Sequence, residues 1–194
     1  MTETHERTGK VVVNRAMSLD GFIAGPGHSM DLIAGFTSPE VVGAVASATG
    51  DMLVGRTTSE VGDRMEADAP GSVDYPFSGP VFVLTHRPLD PPDPDVRVLS
   101  GDIGDAVATA LDAAGGKDLE LLGADVAAQA FRRGLVDEVL VYVLPLILGE
   151  GIPFSPAGSA RVELEPISST RAGPVTILRF RVRPGSRPVG AATV

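Results

Sequence analysis

Apolar positions along the chain change period repeatedly, and each change marks an element. Lys10 to Met17, with Val11, Val12 and Val13, reads as a first strand. Ser38 to Thr49 places Val41, Val42, Val45 and Ala46 at helical spacing behind Thr37-Ser38-Pro39-Glu40, with Ser to cap and Pro in the first turn. Met52 to Val54 reads as a strand, Thr57 to Met65 as a helix, and Val81 to Thr85 and Val96 to Leu99 as two strands. Ile103 to Ala114 is a helix closed by Gly115-Gly116. Leu119 to Leu122 is a strand, and Ala124 to Arg133 a helix with two arginines in its last turn and Gly134 after it. The longest apolar run, Val139 to Leu148, predicts a strand buried on both faces. Val162, Leu164 and Ile167 nearly alternate with polar residues, and Val175 to Val182 follows a Thr170 to Gly173 turn, which predicts a closing antiparallel hairpin. Strand and helix alternate throughout, so the expected fold is α/β, a largely parallel sheet with helices on both faces and an antiparallel edge.

Length and composition narrow this picture. The chain has 194 residues, 43% of them hydrophobic, which suits one domain able to bury its own core. The expected domain runs over residues 10–183, between polar or small-residue tails at 1–9 and 184–194. The absence of cysteine excludes disulfides, thiolate nucleophiles and Cys-ligated metals, and it accords with a reducing, cytoplasmic setting. The formal net charge is −9, and no basic stretch exceeds Arg132-Arg133, so neither nucleic acid nor an anionic membrane is an expected partner. No apolar run approaches the roughly 20 residues that a membrane-spanning helix needs.

In open α/β sheets ligands bind beyond the carboxyl ends of the strands. Three strand-to-helix junctions offer candidate groups. Gly55-Arg56-Thr57-Thr58 supplies a permissive glycine, helix-start amides and a guanidinium suited to phosphate, and it reads equally as a plain helix start. Thr85-His86-Arg87-Pro88 gathers a hydroxyl, an imidazole and a guanidinium, which is also the composition of a solvated turn. Gly123-Ala124-Asp125 opens a helix, and Asp125 there complements the helix dipole. His5, His28 and His86 lack metal-ligand spacing, and no serine-hydrolase elbow, phosphate loop or GxGxxG follows a strand. With so little acid, base or nucleophile machinery, catalysis by this chain would rely on a bound cofactor.

Several motifs occur together: Ala16-Met17-Ser18-Leu19-Asp20-Gly21-Phe22-Ile23-Ala24-Gly25, Gly55-Arg56-Thr57-Thr58, Val83-Leu84-Thr85-His86-Arg87-Pro88, and Gly134-Leu135-Val136-Asp137-Glu138 followed by Pro145 and Leu148-Gly149-Glu150-Gly151. In this order they resemble the dihydrofolate-reductase-like family, in the branch related to the reductase domain of the riboflavin-biosynthesis deaminase-reductase. The resemblance implies a dihydrofolate-reductase-like sheet of about eight strands, NADPH across the strand ends, hydride transfer to a small heterocycle or other electron-poor molecule, and a homodimer. It places Ala16 and Ile23 at the nicotinamide, with the loop Leu19 to Gly25 closing over it. Gly55, Arg56, Thr57 and Thr58 would hold phosphates; Thr85, His86 and Arg87 would lie near the adenosine and its 2′-phosphate; Gly123, Ala124, Asp125 and Val126 would present a helix start to the pyrophosphate.

The chain departs from the family pattern at two places. Leu122 precedes Gly123 where a Gly-Gly pair is usual, so its side chain must either turn into the core with Leu119 and Leu121 or fill the nucleotide groove. Asp31-Leu32 stands where relatives carry Asp-Trp, which changes the substrate pocket. Asp31 and Glu40 are the candidate proton donors, each with an ordinary reading as a turn residue or a first-turn helix acid. The expected function is an NADPH-dependent reductase; the alternative is a reductase-shaped binding protein without turnover.

Overall fold

The computed structural model of the chain describes residues 9–36, 43, 48–68, 77, 79–89, 93–156, 159 and 161–183. Its strands are β1 (Val11–Ser18), β2 (Phe22–Ala24), β3 (Thr49–Gly55), β4 (Val81–Leu84), β5 (Val96–Leu99), β6 (Asp118–Leu122), β7 (Glu138–Leu144), β8 (Ile152–Pro153), β9 (Leu164–Ala172) and β10 (Val175–Val182). Among the described residues the helices of two turns or more are α1 (Arg56–Asp68), α2 (Ile103–Ala113) and α3 (Ala124–Arg132). Of the helix expected over Ser38 to Thr49, Gly43 and Ala48 are helical, and Thr49 already opens β3; the remaining positions, 38–42 and 44–47, lie outside the described residues.

Eight strands form one sheet in the order β5-β4-β3-β6-β1-β7-β10-β9. The first six run parallel, and β10 pairs antiparallel with both β7 and β9. The chain leaves β1, skips a position to lay down β3, β4 and β5 outward, then returns with β6 into the gap. This reversal puts the carboxyl ends of β3, β6 and β1 side by side, the crevice where such sheets hold ligands.

The main core lies on one face. Val11 and Val13 of β1, Leu53 of β3, Phe82 of β4 and Leu119 and Leu121 of β6 meet Ile103, Ala106, Val107 and Ala110 of α2 and Val126, Ala127 and Ala130 of α3. Burying each Val, Leu, Ile or Phe contributes about 1.5–3 kcal/mol. The many alanines let both helices lie close to the strands. Asp102 caps α2 by accepting from the Gly104 amide at 2.8 Å, and its carboxylate takes two bonds from Arg133 beyond α3, at 2.9 and 3.1 Å. One acidic residue thereby joins the start of one helix to the end of the other.

The long apolar run divides differently from expectation. β7 stops at Leu144, because Pro145 has no amide to donate, and Leu146 turns away to accept from the Leu19 amide at 2.9 Å. Ile147 is left 66% exposed. The near-alternation at Val162, Leu164 and Ile167 does not mark a buried face either. β9 is the sheet edge and is exposed at every position before Ala172. Pro166 and a register shift at Arg179/Phe180 interrupt its pairing, features that blunt an edge against further strands.

At the opposite end of the strands from the crevice, Asp137 accepts from the Val11 amide at 2.7 Å. Glu138 bonds Lys10 at 2.7 Å and Arg179 at 2.6 Å. Burial alone would raise the Glu138 carboxyl, but these two partners bring it below its ordinary value. The Val136-Asp137-Glu138 motif thus organises the sheet rather than the ligand crevice.

Candidate functional site

The three junctions singled out in the sequence come together at the crevice. Gly123, at φ +101, ends β6 and starts α3. A side chain there would place its Cβ 2.6 Å from the Thr58 hydroxyl and 3.6 Å from the Gly55 amide nitrogen. A Cβ on Gly55 would lie 3.3 Å from Val126. The backbones at these two glycines therefore lie close under the Thr58 and Val126 side chains, with little room for a side chain of their own. No side chain caps α3, so the amides at its start point outward without a local acceptor, an arrangement suited to a phosphate. Asp125 is exposed and accepts from Gln129 at 2.7 Å. Ala124 is half-buried.

The two arginines of the phosphate motifs do different things. Arg56 donates to Glu60 at 2.6 Å and to the carbonyls of Arg87 and Pro88 at 3.3 and 2.8 Å, so its charge is already engaged in tying the end of β3 to the turn after β4. Arg87 is exposed and, among the described residues, has no ion-pair partner. The buried Thr85 hydroxyl shapes that turn by accepting from the Arg87 amide at 3.1 Å and donating to the Arg87 carbonyl at 3.0 Å. His86 and Thr57 are exposed.

Ala16 lies near the end of β1, opposite Tyr142 of β7, and Ile23 lies on β2. The loop between them is strapped at two adjacent residues. Asp20 accepts from the Leu148 and Gly149 amides at 3.1 and 2.7 Å, and the Gly21 carbonyl accepts from the Phe154 amide at 2.9 Å. A hydrogen bond from the Ser18 hydroxyl, with those of the two amides, holds the Asp20 carboxyl down to about 2. The short pairing of β2 with β8 completes this layer, which no periodicity in the sequence announced.

Leu122 contacts the apolar cluster of Met52, Val54 and Val83. It turns into a core, as one of the two expected outcomes had it, but on the opposite face from Leu119 and Leu121, because side chains alternate along a strand. Asp31 is exposed at the start of a short 3₁₀ turn and accepts from the Ser29 hydroxyl at 2.7 Å, while Ser29 in turn accepts from the Asp31 amide at 3.2 Å. Glu40 lies outside the described residues.

Two further features of the sheet, one at the crevice and one behind it, went unremarked in the sequence. Arg15, inside the first strand, is buried and donates to the Gly123 carbonyl at 2.6 Å. On the face that carries Ala16, a cavity of about 410 Å³ is walled by Asn14, Glu120, Tyr142, Thr170, Ile177 and Arg179 among others. The buried Glu120 carboxylate accepts from Asn14 at 2.9 Å and from Thr49 at 3.2 Å. Burial, with the Glu120 charge adding to it and Arg179 opposing, raises the Tyr142 phenol above its ordinary range. The cavity runs from the strand starts at Val12, Thr49 and Asp118 up to Tyr142, which pairs with Ala16, so only its upper edge comes near the end of β1. Charged residues at inward positions of otherwise apolar strands, Arg15 after the valines and Glu120 between two leucines, were the available signal.

Among the described residues no cluster could hold a metal ion, and no helix is long and apolar enough to cross a membrane. No curated protein matches the chain. Among solved structures it is similar to a protein from Shewanella sp. PV-4 described as a riboflavin biosynthesis protein, with 24% identity and TM-score 0.75 over 90% of this chain and 99% of that one. It is similar to the riboflavin biosynthesis reductase of Saccharomyces cerevisiae, with 18% identity and TM-score 0.60 over 94% and 93%. It is also similar to the dihydrofolate reductase from Enterococcus faecalis, solved with NADP(H), with 16% identity and TM-score 0.58 over 90% and 97%. These likenesses show a dihydrofolate-reductase-like fold. The RibD C-terminal domain signature matches residues 9–178, and the chain belongs to that family.

Proposed function

We propose that the protein is an NADPH-dependent reductase acting on a small electron-poor heterocycle, of pyrimidine or pteridine type. The observation that carries this reading is the close approach of Gly55, Thr58 and Gly123 at the reversal of strand order, beside an uncapped helix start. A groove floored by backbone amides, with Arg87 uncommitted at its far end, fits a dinucleotide carrying a 2′-phosphate. In this reading Gly55, Thr57, Thr58 and the amides of Ala124 to Val126 would hold the phosphates. Thr85, His86 and Arg87 would hold the adenosine end, and Ala16 and Ile23 would line the nicotinamide. Arg56 serves by fixing the turn that presents Arg87.

NADPH supplies a hydride when bound; the chain positions the acceptor and excludes water. The acceptor would sit at the end of β1 by Ala16, and the upper edge of the cavity at Tyr142, backed by Asn14 and Glu120, would offer it the mixed donors and acceptors that an amino- and oxo-substituted ring requires. Leu122 seated against Met52, Val54 and Val83 favours the working enzyme over a binding protein without turnover. By family likeness the protein is a cytoplasmic homodimer, which light scattering at micromolar concentration reads directly.

Fluorescence titration with NADPH, NADP and NADH, followed by a screen of heterocyclic acceptors for NADPH oxidation, tests the reading. Saturable NADPH binding with turnover of at least one acceptor supports it. Failure of all three nucleotides to bind overturns it.

A further inference from the structure

Arg15 breaks the stripe in which Val11, Val13 and Met17 face the main core. Only 6% of it is exposed, and its buried Nε has no acceptor. Among the described residues no carboxylate lies within ion-pair distance of it, although the more distant Glu120 charge partly offsets the burial that lowers its pKa to about 10. A guanidinium held in the interior on so few partners is costly, and an apolar residue of similar length would satisfy the packing better. The cost calls for a role beyond packing.

The contacts of Arg15 define that role. Nη2 donates to the Gly123 carbonyl at 2.6 Å, which holds the turn that opens α3. The guanidinium carbon lies 5.8 Å from the centre of the Phe154 ring, within cation–π range. Phe154 in turn donates its amide to the Gly21 carbonyl, in the loop between β1 and β2. One side chain thus touches the turn proposed for the pyrophosphate and the residue that straps the loop proposed to cover the nicotinamide. Methionine or leucine at this position could pack on the ring but could not donate to the carbonyl, so neither could join the two.

We propose that Arg15 is a positioning residue that couples the loop over residues 19–25 to the Gly123 turn, so that both ends of the cofactor groove are set together. The part concerning the cofactor rests on the NADPH reading above; the coupling itself does not.

The coupling is tested first without cofactor, by hydrogen–deuterium exchange of the wild type, Arg15→Met, Phe154→Leu and the double variant. Arg15→Met should raise exchange in the 19–25 and 123–127 segments together, without lowering the melting temperature. Phe154→Leu, which leaves the Arg15 to Gly123 bond available, should also raise exchange in both segments, and the double variant should exceed neither single by much. NADPH dissociation constants should weaken about tenfold in either single variant, with no further loss in the double and partial recovery in Arg15→Lys. Exchange rising in only one segment, or effects that add in the double variant, would overturn the coupling. If Arg15→Met does not fold, Phe154→Leu decides by the spread of its effect to 123–127. A wild type that binds no NADPH overturns the cofactor reading and leaves the exchange comparison to decide the coupling.

Discussion

Thr58 and Gly123 face each other across the carboxyl ends of β3 and β6 so closely that a Cβ on Gly123 would stand 2.6 Å from the Thr58 hydroxyl oxygen. The glycine also holds φ at +101, a region that side chains rarely adopt. Gly123→Ala should therefore destabilise the fold by about 1–3 kcal/mol and weaken NADPH binding. Adding Thr58→Ala should recover the steric part of the stability loss and leave the backbone part. Denaturant titration of the three proteins checks this, and an unchanged midpoint in Gly123→Ala counts against the packing described.

Arg87 and Arg56 should separate by assay. Arg87→Ala should weaken NADPH more than NADH, by about 1–3 kcal/mol if the guanidinium makes a charge-assisted contact. Arg56→Ala removes the bonds to the Arg87 and Pro88 carbonyls and should weaken both nucleotides alike by disordering the turn. An equal loss of NADPH and NADH in Arg87→Ala refutes its assignment to the 2′-phosphate.

The Asp20 carboxyl titrates at about 2 in the folded protein, below its ordinary 3.8. A depressed acid favours the folded state fully above its ordinary value, and that contribution is lost as pH falls through the lowered one. The strap between Asp20 and the Leu148 and Gly149 amides should therefore persist to about pH 2. Asp20→Asn should loosen the loop at every pH above about 2. Carboxyl chemical shifts followed across pH read the midpoint, and one near 3.8 would show that the strap does not form.

Leu122→Gly should not tighten NADPH binding, because the side chain already contacts Met52, Val54 and Val83. It should cost about 2 kcal/mol through lost packing and added backbone freedom. Tighter binding by the glycine variant would place the leucine in the groove and revive the reading of a protein that has abandoned the cofactor.

Most of the long elements, and the three junctions where chemistry could lie, are legible in local sequence. The valines of β1, the alanine-rich faces of α2 and α3, and the glycines at 55 and 123 report local preferences for strand, helix or tight turn, and such preferences act over a few residues. Tertiary structure decided which junctions meet, because the return of β6 between β3 and β1 is a matter of strand order that no local pattern encodes. It also separated Arg56 from Arg87, since carbonyls more than 30 residues away take up the donors of one and leave the other uncommitted. Arg15 finds its acceptor 108 residues along the chain and Asp20 its amides 128 and 129 residues along. The edge position of β9 made an alternating segment solvent-exposed, and Pro145 ended a strand that hydrophobicity alone would have carried to Leu148. Pro145 apart, which acts on its own neighbour, the deciding partner is distant in sequence, and its effect exists only once the sheet has brought it near.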